Sequence, residues 1–217
     1  MFLEASFLWR GVELWYYLAM DEQELNASAD FLFEMGMLAK TPRSGFFFLG
    51  SGEQSVAEHL NRATYIGFVL ASMAGDVDRA KVLQMAAFHD IAEARVSDLN
   101  YVHQKYTTRN EEKAVQDLAA SFPFGKDIAD LIEEYERRES REARLAKDAD
   151  NLELLLALKE QVDIGNQRAQ SWIPALVKRL LAPEAQRLAE AIMRTDSDHW
   201  WFGDKNDGWW VHRDKTA

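Results

Sequence analysis

Apolar residues recur at helical spacing along most of this chain. Between positions 55 and 75, for example, one helical face carries Val56, Leu60, Ala63, Ile66 and Leu70. The same pattern predicts helices over eight segments: 22–40, 55–75, 77–89, 110–120, 126–138, 140–161, 172–182 and 183–194. Segment 77–89 is apolar nearly all round, which is typical of a helix at the centre of a bundle. We therefore predict an all-α fold.

The two ends of the chain depart from this pattern. Residues 1–21 are apolar and aromatic with scattered charges, and we expect either a short extra helix or a stretch upstream of the true start. The aromatic run at 199–210, with Asp207-Gly208 as a turn, predicts a small C-terminal β-hairpin. We expect this tail, residues 197–217, to pack on the body or on a partner subunit, with a stacking platform for a base as the alternative. The bundle domain then spans 22–196.

Composition narrows the classes of function. The chain has 217 residues, of which 47% are hydrophobic, and this suffices for one domain with a core. A net charge of -11 argues against polymeric nucleic acid as a ligand, because binding a phosphate backbone requires basic patches. The absence of cysteine excludes disulfides and thiolate metal sites. No apolar run reaches the ~18 residues of a membrane span and no signal peptide is evident, so we expect a cytoplasmic protein away from membranes.

The ionisable residues most suited to metal binding or catalysis lie where an apolar helix ends, at positions 86–98. This stretch presents His89, Asp90, Glu93 and Asp98 within a few turns. Burying that many ionisable groups without partners would cost several kcal/mol each, and a cation would supply the partner. His89 and Asp90 diverge by about 100° on an ideal helix, so both reach one ion only if the helix ends or bends there. A second helix must then bring further ligands.

Two other helices carry candidate ligands for the same ion. His59 lies on the preceding helix, and two adjacent antiparallel helices would bring it to His89, although a lone histidine is more often a core residue. The long helix at 140–161 carries Asp148 and Asp150, of which we expect only one to enter the edge of the core. Arg43, in a loop with Ser44 and Gly45, is either a phosphate-binding arginine or a solvated one.

These residues together resemble the HD-domain metal-dependent phosphohydrolases. Within that superfamily the chain is most similar to the bacterial 5'-deoxynucleotidases and their eukaryotic HD-domain-containing relatives. The resemblance covers roughly residues 25–160 and rests on these motifs: Arg43-Ser44-Gly45, Ser55-Val56-Ala57-Glu58-His59, His89-Asp90-Ile91-Ala92-Glu93, Asp98, Glu134-Tyr135-Glu136 and Lys147-Asp148-Ala149-Asp150-Asn151-Leu152-Glu153. Two departures concern substrate choice: the family often has an aromatic residue close after the loop arginine, and the tail from about residue 165 has no counterpart.

The resemblance implies a set of roles. The metal ligands would be His59, His89, Asp90 and Asp150, the last preferred over Asp148 because the family's final aspartate precedes an x-Leu-Glu sequence. Glu93 and Asp98 would be the catalytic carboxylates, and Arg43 would contact the substrate phosphate. Two imidazoles and two carboxylates suit one divalent ion, such as Mn, Co, Fe, Ni, Zn or Mg. A homodimer is also implied.

The function that follows is hydrolysis of a (deoxy)ribonucleoside 5'-monophosphate to nucleoside and phosphate, through a water activated by the metal. Two alternatives stay open at this point. One is a phosphodiesterase or nucleoside triphosphate hydrolase of the same superfamily. The other is a nucleotide-binding regulatory protein without turnover, which would not need both Glu93 and Asp98.

Overall fold

The computed structural model describes residues 20–208 and 211, and within them the regular structure is helical. The all-α prediction is confirmed. Eleven α-helices are described: α1 (Glu22–Met35), α2 (Phe46–Leu49), α3 (Val56–Ala74), α4 (Arg79–Phe88), α5 (Glu93–Val96), α6 (Glu111–Ala119), α7 (Gly125–Arg137), α8 (Arg141–Asp163), α9 (Gln167–Val177), α10 (Pro183–Arg194) and α11 (His199–Phe202). Short 3-10 helices lie between α1 and α2, at Gly36–Ala39, and between α5 and α6, at His103–Lys105.

Local capping chemistry explains where the longer helices begin. The side chains of Asp21 and Ser55 each accept a hydrogen bond from the backbone N–H three residues later, that of Glu24 or Glu58. The carboxylates of Glu24 and Glu58 in turn accept a hydrogen bond from the backbone N–H of Asp21 or Ser55. These reciprocal bonds satisfy amide groups that have no partner inside the helix. α3 ends at Gly75, whose φ of 77° is a left-handed conformation that glycine adopts without strain.

Helix α8 runs through the middle of the molecule and packs against α3, α4, α7, α9 and α10. Its apolar face, which includes Leu145, Leu152, Leu155 and Leu158, is fully buried. Helix α4, predicted to be central, packs between α3, α7 and α8. A second apolar cluster, formed by side chains of α3, α6, α7 and neighbouring turns, lies under α1. The larger cluster includes Leu70 of α3, Met85 of α4 and Leu152 of α8 and packs these three helices together. The candidate ligands lie on these helices or, for His89 and Asp90, directly after α4.

Two sequence predictions need correction. Helix α9 begins at Gln167 rather than at 172, because the Asn166 side chain accepts the N–H groups of Arg168 and Ala169 and caps the helix there. The first predicted strand of the C-terminal hairpin is instead the helical turn His199–Phe202. Its backbone bonds are local, because the carbonyl of Asp198 accepts the N–H groups of Trp201 and Phe202. The second predicted strand, at 209–210, lies outside the described residues.

The expectations for the N-terminal extension and for the packing of the C-terminal tail stay predictions. Residues 1–19 lie outside the described residues, so the expected extension keeps that status. In the tail, Trp200 is 85% exposed. Packing of the tail on the body or on a partner subunit, and the alternative of a stacking platform for a base, stay predictions. None of the described helices is both long and apolar enough to cross a bilayer.

Candidate metal centre

Close packing of α3 on α4 brings two histidines together. Gly67 of α3 lies against α4 at this point, and a Cβ there would be 3.4 Å from Ala86 Cβ and from a methyl of Val82, which is ordinary van der Waals contact. The Nε2 atoms of His59 and His89 are 3.3 Å apart. Both side chains are buried, His59 completely. The sequence-based expectation that these two imidazoles meet is confirmed.

The end of α4 places Asp90 beside the same two rings. The helix ends at Phe88 and residues 89–92 form a turn, as two ligands at adjacent positions require. Asp90 Oδ2 lies 3.6 Å from His59 Nε2 and 3.4 Å from His89 Nε2.

Helix α8 supplies the remaining carboxylate. Asp150 Oδ1 lies 3.3 Å from His59 Nε2 and 3.9 Å from His89 Nε2. Donor atoms about 2.1 Å from a common cation are roughly 3.0–3.4 Å apart, so the observed spacings fit one ion with little adjustment. The donor set of two imidazoles and two carboxylates suits a borderline divalent cation. His59, His89 and Asp150 therefore form one cluster able to hold a cation, and Asp90 Oδ2 lies within 3.6 Å of both imidazole Nε2 atoms.

Each imidazole is held in place by a hydrogen bond at Nδ1, the ring nitrogen that faces away from the candidate ligand cluster. His59 Nδ1 is 2.6 Å from Oε2 of Glu153, and His89 Nδ1 is 3.0 Å from the carbonyl oxygen of Ala86. In each case the Nδ1–H donates to an oxygen, which assigns the tautomer that leaves the Nε2 lone pair directed into the site.

Glu153 contacts this site, although the sequence analysis assigned it no role and named it only as the last residue of the family motif at 147–153. It is fully buried on α8, and besides His59 it binds Arg62 and Gln54. A signal was present: a glutamate one turn after Asp150 lies on the apolar side of the helix, where an unpaired carboxylate would be costly.

Asp148 and Asp150 have different partners. Asp150 Oδ2 receives Lys147 Nζ at 2.6 Å and the hydroxyl of Tyr135 at 3.4 Å, which leaves Oδ1 for the histidines. Asp148 points elsewhere and accepts the backbone N–H groups of Leu181 and Ala182, just before α10. The geometry therefore favours Asp150 as the ligand, and Asp148 binds the backbone just before α10.

The protonation states reflect the density of charge in this site. Burial opposes protonation of His59, but the hydrogen bonds to Asp150 and Glu153 outweigh it and raise its pKa to about 9. Burial would raise the pKa of Asp150, yet the bond from His59 and the nearby Lys147 hold it well below its usual range. Burial lowers the pKa of His89. A proton and a divalent cation thus compete for the same Nε2 atom of His59.

Arg43 reaches the centre from the loop before α2. Its Nη1 lies 3.3 Å from Asp90 Oδ2, and its Nε lies 3.9 Å from Asp98 Oδ2. Asp98 also accepts the backbone N–H of Ser44 at 2.9 Å, which ties the arginine loop to the end of α5. The chain reverses towards that loop at Ser97, whose φ of 63° and ψ of 162° are otherwise found almost only in glycine. The Arg43 side chain is therefore mostly buried and paired with Asp90, and the alternative of a solvated arginine does not hold.

Glu93 occupies an unusual environment beside the ligands. It is 7% exposed, and its Oε2 is a buried atom without a hydrogen-bond partner in the part of the chain described. Burial and the nearby carboxylates of Asp90 and Asp98 raise its pKa to about 8. Its other oxygen lies 3.3 Å from Nη1 of Arg109, a residue that sequence reasoning did not single out. No helical periodicity marks Arg109, because it precedes α6.

These groups open into a cavity of about 700 Å³. This volume is in the range of small-molecule sites. His103 does not line the cavity; it is exposed, and its ring contacts Asn100. Twelve residues line the cavity: Arg43, Asp90, Glu93, Gln104, Arg138, Arg144, Lys147, Asp150, Asn151, Leu154, Arg179 and Leu181.

Comparisons with known proteins agree with this geometry. A model of the HD domain family matches residues 35–192. The 5'-deoxynucleotidase HDDC2 of Bos taurus is 29% identical over 170 residues, which cover 75% of this chain and 82% of the relative. A 5'-deoxynucleotidase of Schizosaccharomyces pombe is 28% identical over 142 residues, covering 60% of this chain and 70% of the relative.

Solved structures give the same assignment. A predicted metal-dependent phosphohydrolase from Magnetospirillum magnetotacticum superposes with a TM-score of 0.65 at 26% identity, covering 80% of this chain and 95% of that chain. The His-His-Asp cluster of the present structure is the kind of site that such an activity requires. The chain belongs to the HD domain family of metal-dependent phosphohydrolases, and within it resembles the 5'-deoxynucleotidase branch.

Proposed function

We propose that this protein hydrolyses nucleoside 5'-monophosphates, preferably deoxynucleotides, to nucleoside and phosphate. The observation that supports the proposal is the cluster of His59, His89 and Asp150, with Asp90, Arg43 and Glu93 beside it, at the edge of a cavity of about 700 Å³. The relatives named 5'-deoxynucleotidases support the choice of substrate class. A site that only bound nucleotide would not need a buried carboxyl with an unpartnered oxygen beside the ligands.

The donor atoms would be the Nε2 atoms of His59 and His89, Oδ2 of Asp90 and Oδ1 of Asp150. A divalent cation bound there supplies a lowered pKa for a coordinated water and neutralises charge on the phosphoryl oxygens. Glu93 would orient the attacking water through its free Oε2 and accept its proton. Its raised pKa matches this task, because a base with a pKa near the operating pH transfers protons most effectively.

Two further residues would act on the phosphate and the leaving group. Arg43 would hold the non-bridging oxygens, and its guanidinium stays charged because Asp90 and its neighbouring carboxylates counter the effect of burial on its pKa. Asp98 would pass on to the departing 5'-oxygen the proton that Glu93 accepts from the water. Its contact with the Ser44 N–H also keeps the Arg43 loop in place.

The test is a substrate panel with purified protein reconstituted in turn with Mn, Co, Fe, Ni, Zn and Mg. We expect phosphate release from dAMP, dGMP, dUMP and TMP, with slower release from the ribonucleotides. Release only from bis-p-nitrophenyl phosphate would replace the proposal with a phosphodiesterase. Release of tripolyphosphate or pyrophosphate from nucleoside triphosphates would indicate a triphosphate hydrolase. Nucleotide binding without any turnover would indicate a regulatory protein.

We also propose that the protein forms a homodimer. Helix α3 presents an exposed apolar stripe made of Tyr65, Phe68, Val69 and Met73, which share one helical face. Apolar stripes of this kind are typical of contact surfaces. Sedimentation equilibrium should give a dimer for the wild type and a monomer for Phe68→Glu. A wild-type monomer at micromolar concentration would contradict the proposal.

A further inference from the structure

The cavity wall is rich in positive charge, although the chain as a whole carries a net charge of -11. Three carboxylates line it, those of Asp90, Glu93 and Asp150, and a divalent cation would neutralise two of them. Five cationic side chains line the same cavity: Arg43, Arg138, Arg144, Lys147 and Arg179. The cavity therefore carries more positive charge than one phosphate group needs.

Two of these cations are already accounted for at the metal centre. Arg43 pairs with Asp90 at 3.3 Å, and Lys147 pairs with Asp150 at 2.6 Å. The remaining three, Arg138, Arg144 and Arg179, have no role in hydrolysing a single phosphomonoester. We refer to these three arginines as the cationic rim.

The rim is assembled from three separate parts of the chain. Arg138 follows α7, Arg144 lies on the second turn of α8, and Arg179 lies between α9 and α10. The Nε of Arg144 donates to the carbonyl oxygen of Arg138 at 3.1 Å, which fixes these two residues side by side. Tertiary packing thus adds Arg179 to a local pair of like charges, and such a cluster repels itself unless an anion binds.

The guanidinium groups of the rim are largely unpaired. Within residues 20–208, Arg144 and Arg179 form no ion pair with a carboxylate. Arg138 is 3.6 Å from an oxygen of Glu136, but both side chains are more than a third exposed. The Nε of Arg138 is buried without a hydrogen-bond partner among the described residues. Arginine forks without carboxylate partners are suited to bidentate binding of phosphate.

The position of the rim separates it from the metal ligands. Arg144 precedes Asp150 by six residues on α8, which corresponds to roughly 9 Å along the helix axis. Leu154 and Leu181 line the same cavity and offer apolar surface to a base or sugar. A ligand that fills the cavity can therefore place one phosphate at Arg43 and a second anionic group at the rim.

We propose that the cationic rim binds a second phosphate group of the substrate, so that the favoured ligands are nucleotides with a phosphate in addition to the one at Arg43. This inference rests on the proposed nucleotide substrate and deepens it. The second phosphate is either a 3'-phosphate on the sugar, which leaves the substrate a 5'-monophosphate ester, or an extended chain at the 5' position, which favours the triphosphate-hydrolase alternative.

The experiment measures binding rather than turnover, so that it stays informative if the protein hydrolyses none of these compounds. The Glu93→Gln variant, loaded with Mn, is titrated by calorimetry with dAMP, deoxyadenosine 3',5'-bisphosphate and dATP. We expect at least one of the two multiply phosphorylated ligands to bind about tenfold tighter than dAMP, the value of one charge-assisted contact. Which of them gains identifies the source of the second phosphate.

Arg144→Gln and Arg179→Gln, each in the same background, test the rim itself. Each should remove most of the tenfold gain while changing the dAMP affinity less than twofold. Lys178→Gln and Arg137→Gln are matched controls, because they remove the same charge next to a rim residue without lining the cavity, and they should keep the gain. Equal affinity for all three nucleotides, or an equal loss for dAMP and the phosphorylated ligands in the rim variants, would overturn the proposal. Absence of phosphate release in the substrate panel with the tenfold gain intact would refute the hydrolase and leave the rim standing.

Discussion

Glu153 Oε2 lies 2.6 Å from His59 Nδ1, and both side chains are fully buried. The carboxylate fixes the tautomer and orientation of the imidazole, and with them the direction of the Nε2 lone pair. Arg62 and Gln54 in turn hold the second oxygen of Glu153. The affinity of the site for a cation thus depends on a residue that would not touch the cation.

Replacing Glu153 should weaken metal binding without unfolding the protein. In Glu153→Gln the amide oxygen can still accept the Nδ1–H, but the negative charge that strengthens the imidazole as a ligand is lost. We expect metal affinity to fall by about 10- to 100-fold, measured by competition with a chromophoric chelator. Glu160→Gln is the control, since Glu160 binds the same Arg62 but is half exposed and does not contact His59. Equal losses in the two variants would contradict an orienting role.

Removing the carboxylate of Glu93 should separate binding from turnover. Glu93→Gln is expected to keep the metal and lower kcat by roughly 10²- to 10⁴-fold, because the group that accepts the proton is gone. The readouts are metal content and steady-state kinetics on dAMP. Glu111→Gln is the matched control, because Glu111 also pairs with Arg109 but is exposed. Full activity in Glu93→Gln would show that another group serves as the base.

Replacing Asp148 and replacing Asp150 should have different effects on metal binding and on stability. Asp150→Asn is expected to lose the metal, since its Oδ1 lies 3.3 Å from His59 Nε2 and 3.9 Å from His89 Nε2 and would be a ligand to the same ion. Asp148→Asn should retain it but cost about 1–3 kcal/mol of stability, because the buried amides of Leu181 and Ala182 lose a charged acceptor. Metal analysis and urea unfolding of both variants provide the test. Metal loss in Asp148→Asn alone would reverse the ligand assignment.

Metal affinity should rise with pH up to about 9. The pKa of His59 without metal is raised from 6.5 to about 9, so below that pH a cation must displace the proton from His59. Loss of one proton per bound ion makes the apparent affinity increase about tenfold per pH unit between about pH 7 and 8.5. Calorimetric titrations at several pH values, in buffers of different ionisation enthalpy, give the number of protons released. An affinity independent of pH over that range would refute the competition.

Stability of the metal-free protein should show the opposite trend. The pKa values of His59 and Glu93 are both raised, to about 9 and about 8, so the folded protein holds protons that the unfolded chain releases. The stabilising contribution is therefore complete at low pH and is lost as pH rises through these values. We expect the Tm in the presence of a chelator to fall between about pH 7 and 9. Glu93→Gln should show a shallower fall, and saturating metal should remove the part due to His59.

The sequence alone determined the helical fold and the set of groups that form the centre. Local information suffices for both: periodicity predicted α3, α4 and α8, and an apolar helix ending in His89-Asp90 indicated bound metal. It did not place α9 correctly, because the Asn166 cap interrupts no hydrophobic pattern, and it predicted a strand where Asp198 instead closes a helical turn.

Only the tertiary structure decided how these groups are connected. Spacing along α8 left Asp148 and Asp150 as alternatives, and the choice depends on whether a carboxylate faces His59 or the start of α10. The roles of Glu153 and Arg109, and the gathering of Arg138, Arg144 and Arg179 around one cavity, arise from contacts between residues far apart in sequence. Such contacts are set by how helices pack against one another, and hydrophobic periodicity specifies which face a helix buries but not which polar groups meet across it.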